Sequence, residues 1–128
     1  MGRGRKKKGR KEEKREEAKK MAKVQVFNLK SMSVQPYEHR EKNVFYQTKE
    51  FKARLIELPP KGEMPPCEMS SYVLFYGLAG LAEIRVGEEI FILKEGQCLI
   101  AEPATLTMRT AHGVRILGIQ IELGDSLK

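Results

Sequence analysis

The sequence predicts an all-β domain, a barrel or sandwich of short strands, behind a basic N-terminal tail. Between Gly62 and Thr107 short apolar stretches are separated by glycine and proline turns. Within those stretches apolar residues recur at every second position, as at Ala82, Ile84 and Val86, which is the period of a strand with one buried face. The opening residues have a composition unlike anything that follows them.

Residues 1–20 hold eleven Lys and Arg against four Glu, so they account for the whole net charge of +7 and the rest of the chain is neutral. Lacking aromatic and branched apolar residues, this tail has no face to bury. It is expected to be disordered, or a solvated helix helped by pairs such as Glu16 with Lys20. Clustered cations of this kind would contact nucleic-acid phosphates in a salt-dependent way. The competing reading is an inert solubilising tail or a translated leader: Gly, Arg, Lys and Glu share purine-rich codons, and Met21 would then be the start. Like-charge blocks are more often solvated than used for recognition, which favours the second reading. The composition changes near Met21, giving a basic low-complexity tail over residues 1–21 and a β domain over residues 22–128.

A chain of 128 residues is long enough to bury one core. No apolar run approaches the ~18 residues of a membrane span, and no charged-then-apolar leader is present, so a cytoplasmic address without a membrane partner is expected. Cys67 and Cys98 lack the spacing of a redox or zinc motif and are expected to stay reduced, a disulfide between them being the less favoured reading.

Taken in order, Val24–Phe27 (VQVF) alternates as a first strand that would pair at the barrel edge or across a second subunit. Residues 28–42 are polar, contain Pro36 and read as a connecting loop. His39 lies there among Glu38, Arg40 and Glu41, with no second histidine nearby to complete a site. A strand is expected at VFYQ (44–47). FKARLIEL (51–58) sets Phe51, Ala53 and Leu55 against Lys52 and Arg54, a half-buried strand with one wet face, ended by Pro59-Pro60. YVLFYG begins the next strand, and RVGEEIFIL is a hairpin around Gly87. GQCLIAEP places Cys98, Leu99 and Ile100 on a central strand. TLTMRT follows, with Thr107 and Arg109 sharing a face, and VRILGIQIEL (114–123) closes the sheet after a turn at His112-Gly113.

Gly62, the run PPCEM (65–69), Val73 and Gly80 form a frame, and a second one runs from Gly96 through Glu102-Pro103-Ala104 to Thr107. Together these frames resemble the two motifs of the cupin family, small double-stranded β-helix barrels of the jelly-roll group, over roughly residues 45–122. The resemblance implies a cupin-type jelly roll. It also implies that the metal-ligand positions fall on Cys67 and Met69 in place of two histidines, on Val73 in place of a glutamate, and on Thr107 in place of a third histidine. A set of imidazole and carboxylate ligands is therefore absent from the frame, and neither His39 nor His112 is spaced to restore it.

If Cys67 and Met69 face the barrel interior as their counterparts in the family do, Val73 and Phe75 share that face and the pocket becomes apolar. The residue parity from Thr107 adds Arg109 to the pocket, with Glu102 or an anionic ligand as its counter-charge, against the alternative that Arg109 turns outward or that Glu102 pairs with it structurally. The ligand-pocket candidates are accordingly Cys67, Met69, Val73, Phe75, Glu102, Thr107 and Arg109. Met64, Cys67, Met69, Cys98 and Met108 are rich in sulfur, so Cys67 and Met69 are the candidates for a soft metal such as Cu(I). Ordinary core filling by the same residue types is the commoner outcome. No histidine base accompanies Cys67, and no catalytic set is visible.

The expected function is that of a metal-independent barrel without a cofactor, a homodimer that binds a small molecule or serves structurally. The alternatives are a metal-dependent enzyme of dioxygenase or isomerase type with unusual ligands, and a nucleic-acid-associated protein acting through residues 1–20.

Overall fold

A computed structural model describes residues 22–122. The expectation for the tail, residues 1–21, lies outside the described residues. A 3₁₀ helix spans Tyr37–Asn43 and is followed by eight strands: β1 (Val44–Gln47), β2 (Phe51–Leu58), β3 (Glu63–Met69), β4 (Tyr72–Val86), β5 (Glu89–Lys94), β6 (Cys98–Ala101), β7 (Ala104–Arg109) and β8 (Val114–Ile121). All pairings are antiparallel, in the order β1-β2-β8-β4-β7-β3, with β5 and β6 each also pairing with β4. No helix of the described residues is long and apolar enough to cross a membrane.

β4 makes this one curled sheet out of two. Its first part, Tyr72–Gly80, pairs with β8 and β6, while Leu81–Val86 pairs with β7 and β5. The strand passes from one layer to the other at an irregularity between Gly77 and Ala79, next to Gly80 at φ +80°. A Cβ at Gly80 would lie 2.2 Å from the Gly113 carbonyl oxygen, so only glycine fits both the space and the dihedral.

The core is the inner face of both layers: Ile56, Leu58 and Ile116 meet Val73 and Phe75 of one half of β4, Ala82 and Ile84 of the other half, Leu93 of β5, and Leu106 and Met108 of β7. β3 carries Pro65 and Pro66 inside a strand, which is tolerated because β3 pairs only with β7 and bulges between Met64 and Cys67.

Four sequence expectations change. Val24–Phe27 forms no strand among the described residues: Val24 and Val26 are 86% and 94% exposed, while the Phe27 ring lies 4.7 Å from that of Phe45. The polar connection after it is not all loop, since residues 37–43 are helical and Asn43 clamps the chain by exchanging two hydrogen bonds with the Gln35 backbone. β6 is not central, for among the described residues it pairs with β4 alone, and its Cys98 and Ile100 are exposed.

The fourth change is in β2. Ala53 and Leu55 are buried, as the alternation predicted, but on the outer face, whereas Ile56 and Leu58 join the inner core. Lys52 and Arg54 share the parity of Ile56 and therefore point inward. The outer face is covered because Arg115 of β8 donates to the Leu29 and Met32 carbonyls at 2.9 and 3.0 Å, holding the segment before the helix against the sheet. Both faces of β2 are thus covered, and the simple alternation of a half-wet strand does not apply.

Candidate functional site

A pocket of about 290 Å³ opens beside the 3₁₀ helix, between β2, β3, β4 and β8. Its apolar wall consists of Met64, Cys67 and Met69 of β3 together with Phe75 of β4 and Leu106 of β7. Cys67, Met69 and Phe75 are three of the residues the sequence pointed to, and the structure brings them together. The Cys67 Sγ and Met69 Sδ lie 3.6 Å apart.

Of the polar wall, Lys52 and Arg54 were read in the sequence as solvent-facing and the residues of the helix as part of a loop. Lys52 and Arg54 enter from β2, Gln120 from β8, and Tyr37, Arg40 and Glu41 from the helix. Arg54 donates from Nη2 to the Gln120 Oε1 at 3.1 Å. Glu41 stands 3.6 Å from Arg54 and 3.9 Å from Lys52. Arg40 lies over the Tyr37 ring at 4.5 Å from its centroid, and burial raises the Tyr37 hydroxyl above its ordinary pKa against the opposing pull of Arg40.

The floor is set by a missing side chain. In the register of β2, β8 and β4, Gly118 lies between Arg54 and Phe75, so the inner face at this level reads guanidinium, nothing, phenyl. A Cβ at Gly118 would come within 3.3 Å of the Phe75 ring. The glycine therefore lets the ring approach the β8 backbone closely, where a side chain would crowd it.

The other predicted residues fall elsewhere. Val73 faces inward but is sealed in the core at 1% exposure. Thr107 was expected inside from the motif frame, with Arg109 added by parity against the favoured alternative that it turns outward or pairs with Glu102; both point outward. Their register partners are Arg85 and Glu83, while Leu106 and Met108, opposite Val86 and Ile84, take the inner face. The apolar pairs decide this, because turning Met108 out would strip the fully buried Ile84 of its neighbour. Arg109 pairs with Glu83, which also raises its pKa through a hydrogen bond, and not with Glu102, which is exposed in the turn before β7. The sulfur set divides: Met64, Cys67 and Met69 line the pocket, Met108 is core, and Cys98 is exposed, with both cysteines free.

The fold's usual metal would need imidazole or carboxylate donors on this inner face. A thiol, a thioether, a valine and a leucine do not fit that requirement. Among the described residues no group of three or more His, Cys, Asp or Glu is placed to hold a metal ion.

No protein-family model and no curated protein matches the sequence. Solved structures do match the fold. The chain is similar to an uncharacterised conserved protein with a double-stranded β-helix domain from Klebsiella pneumoniae, at 17% identity and a TM-score of 0.67 over 77% of this chain and 90% of that one. It is similar to the cupin domain of Cnp3 from Schizosaccharomyces pombe, at 20% identity and a TM-score of 0.65 over 82% and 72% of the two chains. A cupin superfamily protein from Desulfitobacterium hafniense matches at 15% identity and a TM-score of 0.58, over 61% and 72%. The described domain has the cupin fold, a double-stranded β-helix of the jelly-roll type, as the spacing of Gly62, Gly80 and Gly96 implied.

Proposed function

We propose that this cupin-fold chain is a metal-independent small-molecule-binding protein without catalytic activity, acting as a homodimer in the cytoplasm. One observation carries the reading: the barrel keeps a pocket of about 290 Å³ whose inner wall holds Cys67, Met69, Phe75 and Leu106. Such a volume, apolar on one wall and polar on the other, suits a small organic molecule better than a bare ion. Cys67 has no imidazole beside it in the lining, since both histidines are outside it.

The test is to purify the protein under native conditions without a metal-affinity tag, extract it, and identify bound small molecules by mass spectrometry beside elemental analysis. A recurrent small molecule and no stoichiometric transition metal is the expected result. About one equivalent of iron, manganese, zinc or nickel per chain would overturn the reading in favour of a metal-dependent enzyme with unusual ligands. A second reading, a soft-metal site, rests on the 3.6 Å separation of the Cys67 and Met69 sulfurs with Met64 in the same pocket. Copper alone would promote it.

A further inference from the structure

Resting on the binding reading above, we infer that the pocket takes a small organic anion, a carboxylate with an apolar body, whose charged end is held by Arg54 and Lys52. Both cations project to the inner face of β2, where a purely apolar ligand would gain nothing from them and where their partial burial has a cost. Arg54 is 13% exposed and Lys52 24%, and each has the same near carboxylate, Glu41.

Glu41 is 72% exposed, sits on the 3₁₀ helix at the pocket rim and approaches the two cations only to 3.6 and 3.9 Å. It is a loose, solvated counter-ion, the kind that a better-placed carboxylate displaces. Gln120 holds the Arg54 guanidinium by one edge, which fixes its plane and leaves other N–H donors for a ligand. Arg40 adds a third cation at the rim, and Glu41 and Glu68 are the acidic residues there, so the lining keeps an excess of positive charge. Beyond the charged end Gly118 leads to the Phe75 ring and to the Met64 and Met69 side chains, an apolar bed for the rest of the molecule.

Benzoate, benzamide and benzamidine share one shape and carry charges of −1, 0 and +1, so calorimetric titration of the full chain with each isolates the charge. Benzoate is expected to bind roughly tenfold or more tighter than benzamide, a preference set by hydrogen bonds to a charged group, and benzamidine is expected to bind least. Arg54→Met with Lys52→Met should abolish the preference for benzoate, and Arg54→Met alone should weaken it. Glu41→Gln should move it the other way and tighten benzoate alone, a gain that a merely structural role for Arg54 would not produce. Equal binding of benzoate and benzamide, or a benzoate preference that survives Arg54→Met with Lys52→Met, would overturn the anion assignment and leave the binding reading standing. Absence of heat with all three at millimolar concentration would also overturn it, whereas the binding reading itself is decided by what co-purifies.

Discussion

Thr107 donates its hydroxyl hydrogen to the Met64 carbonyl oxygen at 2.6 Å, linking β7 to β3 beside the bulge that precedes Cys67. Pro65 and Pro66 have no N–H to offer, and the bulge takes this stretch of β3 out of the regular ladder. Thr107→Val keeps the shape and removes the donor. It is expected to cost about 1 kcal/mol, read as a lower urea midpoint at unchanged slope, because a half-buried carbonyl loses its partner. An unchanged midpoint would mean that water replaces the hydroxyl without loss.

Strands β1, β2 and β4 to β8, the hairpin at Gly87 and the turn at His112-Gly113 were legible because each depends on local pattern: alternation, glycine at positive φ, and prolines at strand ends. The inner and outer faces were legible only where one face is wet. In β7 the alternation of Leu106 and Met108 against Thr105, Thr107 and Arg109 was plain in the sequence, but the motif frame placed Thr107 at a ligand position and reversed the faces. In β2 both faces are covered, one by the core and one by the segment that Arg115 holds, so Lys52 and Arg54 read as solvent-facing although they line the pocket. The half of the site on β3 and β4 was therefore visible and the half on β2, β8 and the helix was not, since its polarity comes from long-range packing that residue spacing does not encode.

The observed faces give a direct test of the site's geometry. Cys67 stands opposite Leu106 in the register of β3 with β7, and Val73 shares the interior. Cys67→His, Met69→His and Val73→Glu combined with Leu106→His should yield a chain that is destabilised as apoprotein by several kcal/mol and recovers on adding Zn(II) or Ni(II). The same three changes combined with Thr107→His should recover much less, as residue 107 points away. Equal rescue of the two variants would show that the inward set is not Leu106 and Met108.

Arg115 bonds two carbonyls of the N-terminal segment and also contacts Glu57 at 2.9 Å, all from a side chain that is 18% exposed. Arg115→Met is expected to lower stability by about 2 kcal/mol and to speed amide exchange around residues 27–35, with the core strands still protected. Arg115→Lys should rescue little, because one ammonium cannot span both carbonyls as the guanidinium fork does. Unchanged exchange in that segment would show that packing alone holds it.

Removal of residues 1–20 should leave the melting temperature essentially unchanged, because that sequence offers no apolar side chains beyond Met1 and Ala18 and so no apolar face to bury. It should also abolish any retention on DNA or RNA at low salt. The remaining residues carry equal numbers of each charge, so nucleic-acid binding of the truncated domain with the same salt slope would show that the barrel itself holds the phosphate contacts.

Assembly is the remaining expectation, and its argument rests on two valines. Val24 and Val26 are among the most exposed large apolar residues described, in a stretch that alternates as a strand yet pairs with no strand among the described residues. Phe27, directly after them, packs on Phe45 and Tyr46 of β1, which among the described residues pairs with β2 alone and leaves its other edge open. An open edge beside an unpaired alternating segment is the arrangement that a two-fold partner completes. Light scattering at tens of micromolar is expected to give twice the chain mass of 14.6 kDa. Val24→Lys with Val26→Lys should convert it to the monomer at unchanged melting temperature of the isolated domain, because neither side chain contributes to the core and four like charges would meet across the two-fold axis. A wild-type monomer would sink the expectation. A dimer that persists in the double variant would move the interface to the outer face of β4 and β6, where Tyr72, Tyr76 and Ile100 are also exposed.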